Sequence, residues 1–182
     1  GIGAKHKIND NACVYCGQCL ISCPFDAIEQ MSFVDEVERR LDDRTHICVA
    51  MPSPAVRVAL CEEFGGKPGD LNTNQMVNAL EAIGFVTYDC NNAADQTILE
   101  EGTEFTKKVQ YWLLGHRGPE VDEMAEHPFP HFTSCCPAWV KFAEIYYPDM
   151  LDHISSAKSP IGMQGPTIKT YFAKKMGIDP RT

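Results

Sequence analysis

The feature that most constrains this chain is a run of four cysteines near its amino terminus. Cys13, Cys16, Cys19 and Cys23 follow the spacing C-x2-C-x2-C-x3-C, and Pro24 comes directly after the last of them. Each short step returns a thiolate to the same side of a tight loop, and this spacing is typical of [4Fe-4S] sites. The run therefore predicts an iron–sulfur cluster at this loop.

A zinc site and disulfide bonds agree less well with the spacing of these cysteines. Structural zinc sites usually pair two C-x2-C units across a long gap, and thiols this close together are too crowded for regular disulfides. The role of Cys23 stays open, because in two-cluster ferredoxins the fourth cysteine of such a run ligates the other cluster. A partner run would then lie upstream of Gly1 or on another chain. Otherwise Cys23 completes the cluster itself, or a distant thiol does so, the candidates being Cys48, Cys61 and Cys90.

The overall composition limits the classes of protein to which the chain can belong. Its 182 residues are 44% apolar and 23% charged, as in globular proteins, and no apolar run is long enough to cross a membrane. The formal charge of −9 disfavours binding to nucleic acid, which requires a basic surface. Nine cysteines, grouped as for metal binding, favour a reducing setting. We expect a cytoplasmic location, with the periplasm as the alternative, because a secreted form that had lost its signal would look the same.

Short apolar strands alternate with helices along most of the chain. Strands are predicted at 46–51, 85–88 and 131–134, and helices at 32–41, 55–64, 72–83, 95–114, 137–147 and 160–176. This alternation predicts an α/β fold with a parallel sheet flanked by helices, in which sites form beyond the carboxyl ends of the strands. The predicted division is a small α+β ferredoxin-like segment at 1–32, a linker helix at 33–44 and a larger unit at 45–182.

A second candidate site lies where the third predicted strand meets a helix, in the segment T-S-C-C-P. Cys135 and Cys136 stand at the amino terminus of that helix, where the helix dipole and free amide groups favour thiolate over thiol. Adjacent side chains at a strand end point to opposite sides, so one thiol can hold a metal while the other faces elsewhere. Two buried structural cysteines are an equally good interpretation from the chemistry alone.

Three charged residues form one stripe on the long predicted helix. Glu101, Glu104 and Lys108 are spaced i, i+3 and i+7, so they lie on the same face. From the residues alone the favoured interpretation is a solvated face with a Glu104–Lys108 ion pair. The alternative is a proton relay, because carboxylates within hydrogen-bond reach suit stepwise proton transfer.

Four segments together resemble the [FeFe]-hydrogenases, and they follow that family's order. They are M-P-S-P-A-V-R-V-A-L at 51–60, I-L-E-E-G-T-E at 98–104, F-T-S-C-C-P-A-W at 132–139 and S-S-A-K-S-P at 155–160. The resemblance covers nearly the whole chain from Ile8 onwards. It implies that 45–182 is the first lobe of the domain holding the H-cluster, which is a [4Fe-4S] cubane joined to a di-iron site with CO and cyanide ligands. The complete unit would form and oxidise H2 reversibly.

The resemblance also implies roles for individual residues. Cys136 would ligate the [4Fe-4S] part of the H-cluster, and Cys135 would hand protons to the bridging amine of the di-iron site. The run of four cysteines would hold the cluster that passes electrons to the active site. The proton path would run from Cys135 through Glu101, Ser155 and Glu104, and Lys108 would end it where the family often has arginine. The segment in contact with a cyanide ligand would be Ser53, Pro54 and Ala55.

Part of the family's ligand set is not in this sequence. The H-cluster needs three further cysteines, one in an M-P-C-x2-K segment and two in a C-x3-C segment, and Cys136 alone cannot hold a cubane. We therefore expect the rest of the catalytic unit on a further segment or second chain, together with a redox partner such as a ferredoxin or cytochrome. Ile161 stands where the family often has glutamine, and Cys48 and Cys61 are expected to be small core residues.

Two rival functions stay open. The chain could belong to an electron-transfer subunit in which only the Cys13–Cys23 run binds a cluster. It could also belong to a hydrogenase-like iron–sulfur sensor or assembly protein, in which the thiol of Cys135 has no part in turnover.

Overall fold

Helices make up most of the structure, a computed structural model that describes residues 8–9 and 12–181. The first residues of the predicted ferredoxin-like segment, 1–7 and 10–11, therefore lie outside the described residues. The helices are α1 (Gln18–Ser22), α2 (Val34–Asp42), α3 (Pro54–Glu63), α4 (Thr73–Ile83), α5 (Cys90–Lys108), α6 (Pro137–Tyr146), α7 (Pro160–Thr167) and α8 (Ala173–Met176). Two π-helical turns, Val109–Leu113 after α5 and Ile168–Phe172 between α7 and α8, continue these helices. Two 3-10 turns lie at Asp122–Glu126 and Pro148–His153.

The sheet consists of two short parallel strands, β1 (Val49–Ala50) and β2 (Val86–Thr87). The predicted helix-flanked parallel sheet is confirmed, although each strand is shorter than the apolar run that predicts it. At the third predicted strand only one parallel bridge forms, between Phe132 and Ile154. The backbone groups of Phe132 are hydrogen-bonded at this bridge, because Phe132 N donates to His153 O at 2.9 Å and Ser155 N donates to Phe132 O at 2.7 Å.

Side-chain caps set where the helices that follow the strands begin. The hydroxyl of Ser53 accepts from Val56 N before α3, and the hydroxyl of Ser159 accepts from Gly162 N before α7. The carboxylate of Asp89 accepts from Asn91 N at 2.9 Å and starts α5 at Cys90, earlier than the predicted Asp95. The caps at Ser53 and Asp89 lie in the turns that follow β1 and β2, and the cap at Ser159 lies in the S-S-A-K-S-P loop.

Helix α5 is the central element, and its buried face is partly polar. Ala93 and Lys108 are completely buried and Thr97 almost so, whereas the apolar Ile98 and Phe105 of the same helix are largely exposed. The hydroxyl of Thr97 donates to Lys158 O at 3.0 Å, which ties α5 to the loop before α7. The inner face of α5 is therefore the face that carries the predicted charged stripe.

The amino-terminal part of the chain is more exposed. The described residues of the predicted ferredoxin-like segment contain one short helix, α1, and no strand, and α1 buries no residue. Helix α2 lies within the predicted linker, but Phe33 and Val34 stay exposed. The boundaries at 32 and 44 remain predictions. None of the helices in residues 8–9 and 12–181 has the length and apolar character needed to span a bilayer.

Candidate functional site

The first candidate site is the cysteine loop. Gly17 lies between two of the predicted ligands with φ of 75°, in the left-handed region, which glycine adopts without the penalty of a Cβ atom. Tyr15 also has positive φ, at 54°. Cys16 and Cys19 are exposed, and Cys13 and Cys23 are half-buried. The backbone therefore bends sharply between successive cysteines and leaves their thiols accessible from outside the loop.

Backbone amide groups point at two of these sulfurs. Ala27 N donates to Cys23 Sγ and Tyr15 N donates to Cys13 Sγ, each at 3.4 Å. The backbone amide of Ala27 above all, followed by that of Phe25, lowers the pKa of the Cys23 thiol. Amide hydrogen bonds to cysteine sulfur stabilise the thiolate and are a known control on iron–sulfur clusters. The donor set therefore suits a cluster that needs thiolate ligands.

The cysteine sulfurs are not arranged around a single point. In residues 8–9 and 12–181, no three His, Cys, Asp or Glu side chains form a site for one metal ion. A cubane binds each thiolate through a different iron, so its ligands are spread more widely than those of a single ion.

The cysteines outside the two candidate sites behave as packing residues. Cys61 is buried, and Asn72 Nδ2 donates to its Sγ at 2.9 Å. Cys90, the first residue of α5, is also buried, whereas Cys48 is half-buried. The prediction that Cys61 is a small core residue is confirmed, and its existing hydrogen bond makes it a poor substitute for Cys23.

The second candidate site is the turn that carries Cys135 and Cys136. Both thiols are exposed, Cys136 is the N-cap residue of α6, and Pro137 occupies the first position of that helix. Trp139 fixes the turn from the helix side, because its Nε1 donates to Thr133 O at 3.1 Å. The two exposed thiols therefore lie at the start of α6, in a turn held by the hydrogen bond from Trp139.

Two carboxylates of α5 bind the backbone and hydroxyl groups around this corner. Glu101 Oε1 accepts from Ser134 N at 3.0 Å, directly before Cys135. Glu104 Oε2 accepts from Ser155 Oγ at 2.6 Å and from Ser156 N at 3.2 Å. The preference for a solvated stripe is wrong, because both carboxylates face protein and make contacts across the fold.

The thiol turn and the S-S-A-K-S-P loop are also tied to each other. Ser134 Oγ donates to Ala157 O at 2.5 Å, and Ala157 N donates to Ser155 Oγ at 3.1 Å. Among the described residues, no hydrogen bond joins Cys135 to Glu101 or Glu101 to Ser155. Of the predicted path, only the step between Ser155 and Glu104 is a direct hydrogen bond, while Glu101 is bound to the backbone of Ser134.

Lys108 departs from its predicted place at the surface. Its side chain is 0% exposed, and in the described part of the chain Nζ has no hydrogen-bond partner. Burial lowers the pKa of Lys108, and the nearby charge of Glu104 opposes that change. Lys108 therefore stands at the inner end of the stripe rather than at an outlet to solvent.

The remaining predicted site residues are not joined to the thiols by any hydrogen bond or ion pair among the described residues. Ser53, Pro54 and Ala55 are exposed at the start of α3, and no hydrogen bond in the described residues links them to the thiol turn. A cleft of about 480 Å³ opens beside the turn. The cleft is lined by residues of the thiol turn, of α6 and of the S-S-A-K-S-P loop, including Ser134, Pro137, Ala157, Lys158 and Ser159.

Sequence reasoning missed two histidines that shape this region. The Nδ1 atom of His153 lies 3.1 Å from both Pro128 O and Pro130 O, and it holds the loop before the thiol turn. His131 packs on Phe105 of α5, with ring centroids 5.7 Å apart. Neither histidine belongs to a spaced metal-binding pair, so only the three-dimensional contacts identify them.

Comparison with known families agrees with this arrangement. Residues 46–182 match the family described as the iron only hydrogenase large subunit, C-terminal domain. The chain belongs to this family. Residues 6–29 match the 4Fe-4S binding domain, so the cysteine loop falls within a known iron–sulfur motif of the same chain.

Individual relatives in the iron-only hydrogenase family share much of this sequence. The chain is 45% identical over 154 residues to the periplasmic [Fe] hydrogenase large subunit of Nitratidesulfovibrio vulgaris, covering 84% of this chain and 34% of the relative. It is 41% identical over 173 residues to the NADP-reducing hydrogenase subunit HndD of Solidesulfovibrio fructosivorans, covering 94% of this chain and 28% of that protein. The chain thus spans about a third of the length of these relatives.

Solved structures extend the likeness to the fold. A structure from work on oxygen inactivation of [FeFe]-hydrogenase has a TM-score of 0.70 and 38% identity, with 83% of this chain and 36% of that one covered. The [FeFe]-hydrogenase HydA1 from Chlamydomonas reinhardtii has a TM-score of 0.67 and 36% identity, with coverage of 82% and 36%. The helix-rich fold around a small parallel sheet is therefore the fold of this family.

Proposed function

We propose that this chain supplies an electron-relay cluster, one H-cluster ligand and the inner proton path of an [FeFe]-hydrogenase. The complete unit would catalyse the reversible formation of H2 from two protons and two electrons. The observation that carries the proposal is the hydrogen bond from Ser134 N to Glu101, which fixes a carboxylate of the predicted path beside the adjacent thiols of Cys135 and Cys136.

The two thiols would have separate tasks. Cys136, at the cap of α6, would hold the [4Fe-4S] part of the H-cluster, and Cys135 would exchange a proton with the active site. When bound, the H-cluster would supply the redox chemistry that interconverts H2 with protons and electrons. The exposure of both thiols and the adjoining cleft of about 480 Å³ are consistent with a group bound at this corner.

The carboxylates of α5 would move protons between Cys135 and the outside. Ser155 already donates to Glu104 at 2.6 Å, a distance suited to proton exchange. Glu101 is held by the amide of Ser134, the residue before Cys135, and a side-chain rotation or a bridging water would complete the step to the thiol. Ser155 would then connect the two carboxylates, because its hydroxyl both donates and accepts.

The cysteine loop would bring electrons to this corner. Cys13, Cys16 and Cys19 would bind one cluster, and Cys23 would complete it or bind a neighbouring one. The remaining H-cluster cysteines, in M-P-C-x2-K and C-x3-C segments, would come from a further segment or a second chain. A ferredoxin or cytochrome would be the redox partner, and the protein would act in the cytoplasm or the periplasm.

A direct test is H2 production by the complete assembly, matured in a host that can make the H-cluster. We expect Cys135→Ala to lower the rate at least a hundredfold, since a general acid or base typically contributes 10²- to 10⁴-fold. The matched control is Cys48→Ala, which removes a half-buried thiol outside the site and should leave the rate unchanged. An equal rate in both variants would remove the proposed proton role of Cys135.

A second candidate function is iron–sulfur assembly without hydrogen turnover. One observation favours it: the chain is 28% identical over 185 residues to the cytosolic iron-sulfur assembly component 3 of Bos taurus, with 97% of this chain covered. In that case the complete protein would bind iron and make no H2, and Cys135→Ala would leave its cluster-transfer activity intact. The higher identity to hydrogenases makes this the weaker candidate.

A further inference from the structure

Beside the Ser155–Glu104 pair lies a group of buried polar atoms that the proposed path does not use. Lys108 Nζ and both ring nitrogens of His131 are buried without a hydrogen-bond partner in the described residues. A buried polar group without a partner is unfavourable by several kcal/mol, so such atoms in native proteins are usually satisfied by ordered water. Here three of them occur on one side of α5.

The packing places these atoms beside the buried, Lys108 end of the stripe. The ring of His131 lies against Phe105, which is adjacent to Glu104 on α5, and the ring of Phe129 packs edge-on against Phe105 with centroids 6.0 Å apart. Lys108 lies one turn beyond Glu104 on the same helix, and it is completely buried. The two aromatic rings close the space around these groups on one side.

Electrostatics agree with this placement. Burial and the charge of Lys108 lower the pKa of His131, whereas the carboxylates of Glu104 and Glu101 raise it. His131 packs on Phe105, which is one residue from Glu104 and three from Lys108, so all of these groups meet the same stretch of α5. A neutral His131 has one ring nitrogen that accepts and one that donates, so it can take a hydrogen bond that the ammonium of Lys108 cannot take.

We propose that Lys108 and His131 hold a buried water against Glu104, and that His131 is the next proton acceptor of the path. This proposal rests on the function proposed above and extends its route. The water would accept a hydrogen bond from Lys108 Nζ and donate one to the unprotonated ring nitrogen of His131. Buried waters typically make about three such bonds to otherwise unsatisfied groups.

The transfer through this site balances in protons and charge. A protonated Glu104 gives its proton to the water while the water gives one of its own to His131. Glu104 becomes a carboxylate, His131 becomes an imidazolium, and the water is restored. Lys108 stays an ammonium throughout and is a positioning residue, because it orients the lone pairs of the water and directs its protons towards His131.

The test compares three variants of the complete matured assembly. His131→Phe keeps the ring packing on Phe105 but removes both nitrogens, whereas His131→Gln keeps a donor and an acceptor without a titrating group. The matched control is His116→Phe, an exposed histidine in the loop after α5. Turnover, the solvent isotope effect and the infrared C=O stretch of protonated Glu104, assigned by its loss in Glu104→Gln, are measured for each variant.

We expect His131→Phe to lower turnover about tenfold and raise the solvent isotope effect, since a step of general acid–base transfer is lost. The C=O band of Glu104 should shift in His131→Phe and keep its position in His131→Gln, which can still hold the water. His116→Phe should change none of these quantities. A Glu104 band and a turnover unchanged in His131→Phe would overturn the proposal.

Failure of the hydrogenase function itself would look different. The Glu104 band is measured in assemblies with and without the H-cluster, so it reports on the water site even when no H2 is made. An assembly without H2 production, but with a Glu104 band that depends on His131, would leave the water site standing and remove only its role in hydrogen turnover.

Discussion

The two candidate sites of this chain are built in opposite ways. The two carboxylates of the stripe on α5 are satisfied by the protein itself, since Glu101 and Glu104 bind backbone and hydroxyl groups of the facing loops. The cysteine loop is exposed, and among the described residues its thiols do not converge on one point. Buried carboxylates must find partners inside the fold, whereas thiolates at a cluster are satisfied by iron. The fold therefore fixes the carboxylates of the proposed proton path by packing, whereas a bound cluster would have to order the cysteine loop.

The first prediction, with the largest effect, tests the part that the protein completes. Replacing Ser155 by alanine removes the 2.6 Å hydrogen bond to Glu104 and the only hydroxyl between the two carboxylates of the proposed path. We expect H2 turnover to fall about a hundredfold, with iron content unchanged. Ser155→Thr keeps the hydroxyl and serves as the control. A similar loss in Ser155→Thr would point to packing rather than proton transfer.

The second prediction tests the part that depends on the cluster. Removing iron with a chelator should increase amide hydrogen exchange in residues 12–29 about tenfold or more, because metal binding and local folding are coupled. Exchange in α5 should change little, because its contacts are made by protein groups. Hydrogen exchange followed by mass spectrometry measures both regions in one sample. An equal increase of hydrogen exchange in α5 and in residues 12–29 would contradict the proposed difference between the two sites.

The third prediction concerns the one buried cation of the stripe. Replacing Lys108 by methionine removes a buried charge and should stabilise the fold by roughly 1 kcal/mol, at the low end of the range for such replacements. The expected result is a higher urea midpoint for Lys108→Met at pH 7, followed by helix circular dichroism. The control is Lys174→Met, since Lys174 is exposed on α8.

The stability difference between the wild type and Lys108→Met should depend on pH with a definite sign. The pKa of Lys108 is lowered in the folded protein, whereas lysine in the unfolded chain titrates near 10.4. Between those two pKa values the unfolded chain binds more protons, so the stability of the wild type rises with pH relative to that of Lys108→Met. Below the folded pKa the difference should be constant. If the stability advantage of Lys108→Met over the wild type grew with increasing pH, the assigned burial of Lys108 would be contradicted.

The fourth and smallest prediction tests the start of the helix that carries the stripe. Asp89 caps α5 through Asn91 N at 2.9 Å and also pairs with Arg57 at 2.5 Å. We expect Asp89→Ala to lower the free energy of unfolding by about 1 kcal/mol, mainly from the lost cap. Asp89→Asn keeps a capping oxygen and should lose less. Thermal unfolding of the two variants separates the cap from the ion pair.

Much of the fold follows from local sequence patterns. The strands at 46–51 and 85–88 and the helices that follow them are found near their predicted places, because apolar runs and capping residues are local signals. The start of α5 was missed since the cap at Asp89 precedes the apolar pattern used to find the helix. The third strand forms only the Phe132–Ile154 bridge, because strand pairing depends on a partner far along the chain.

The candidate site was predictable in its residue types and less so in its burial. The spacing of Glu101, Glu104 and Lys108 predicts a shared face, but periodicity does not tell which face of α5 points inwards. The residues alone favoured a solvated ion pair, and only the family resemblance pointed to a relay. The roles of His131 and His153 carry no spacing signal, because they arise from contacts with loops and rings distant in sequence.

The measurement that tests the central claim most directly is infrared spectroscopy of the complete assembly after maturation. The account predicts CO and cyanide stretching bands in the wild type and their loss in Cys136→Ala, since Cys136 is the proposed H-cluster ligand of this chain. An assembly that binds iron but shows no such bands, or whose bands persist unchanged in Cys136→Ala, would contradict it.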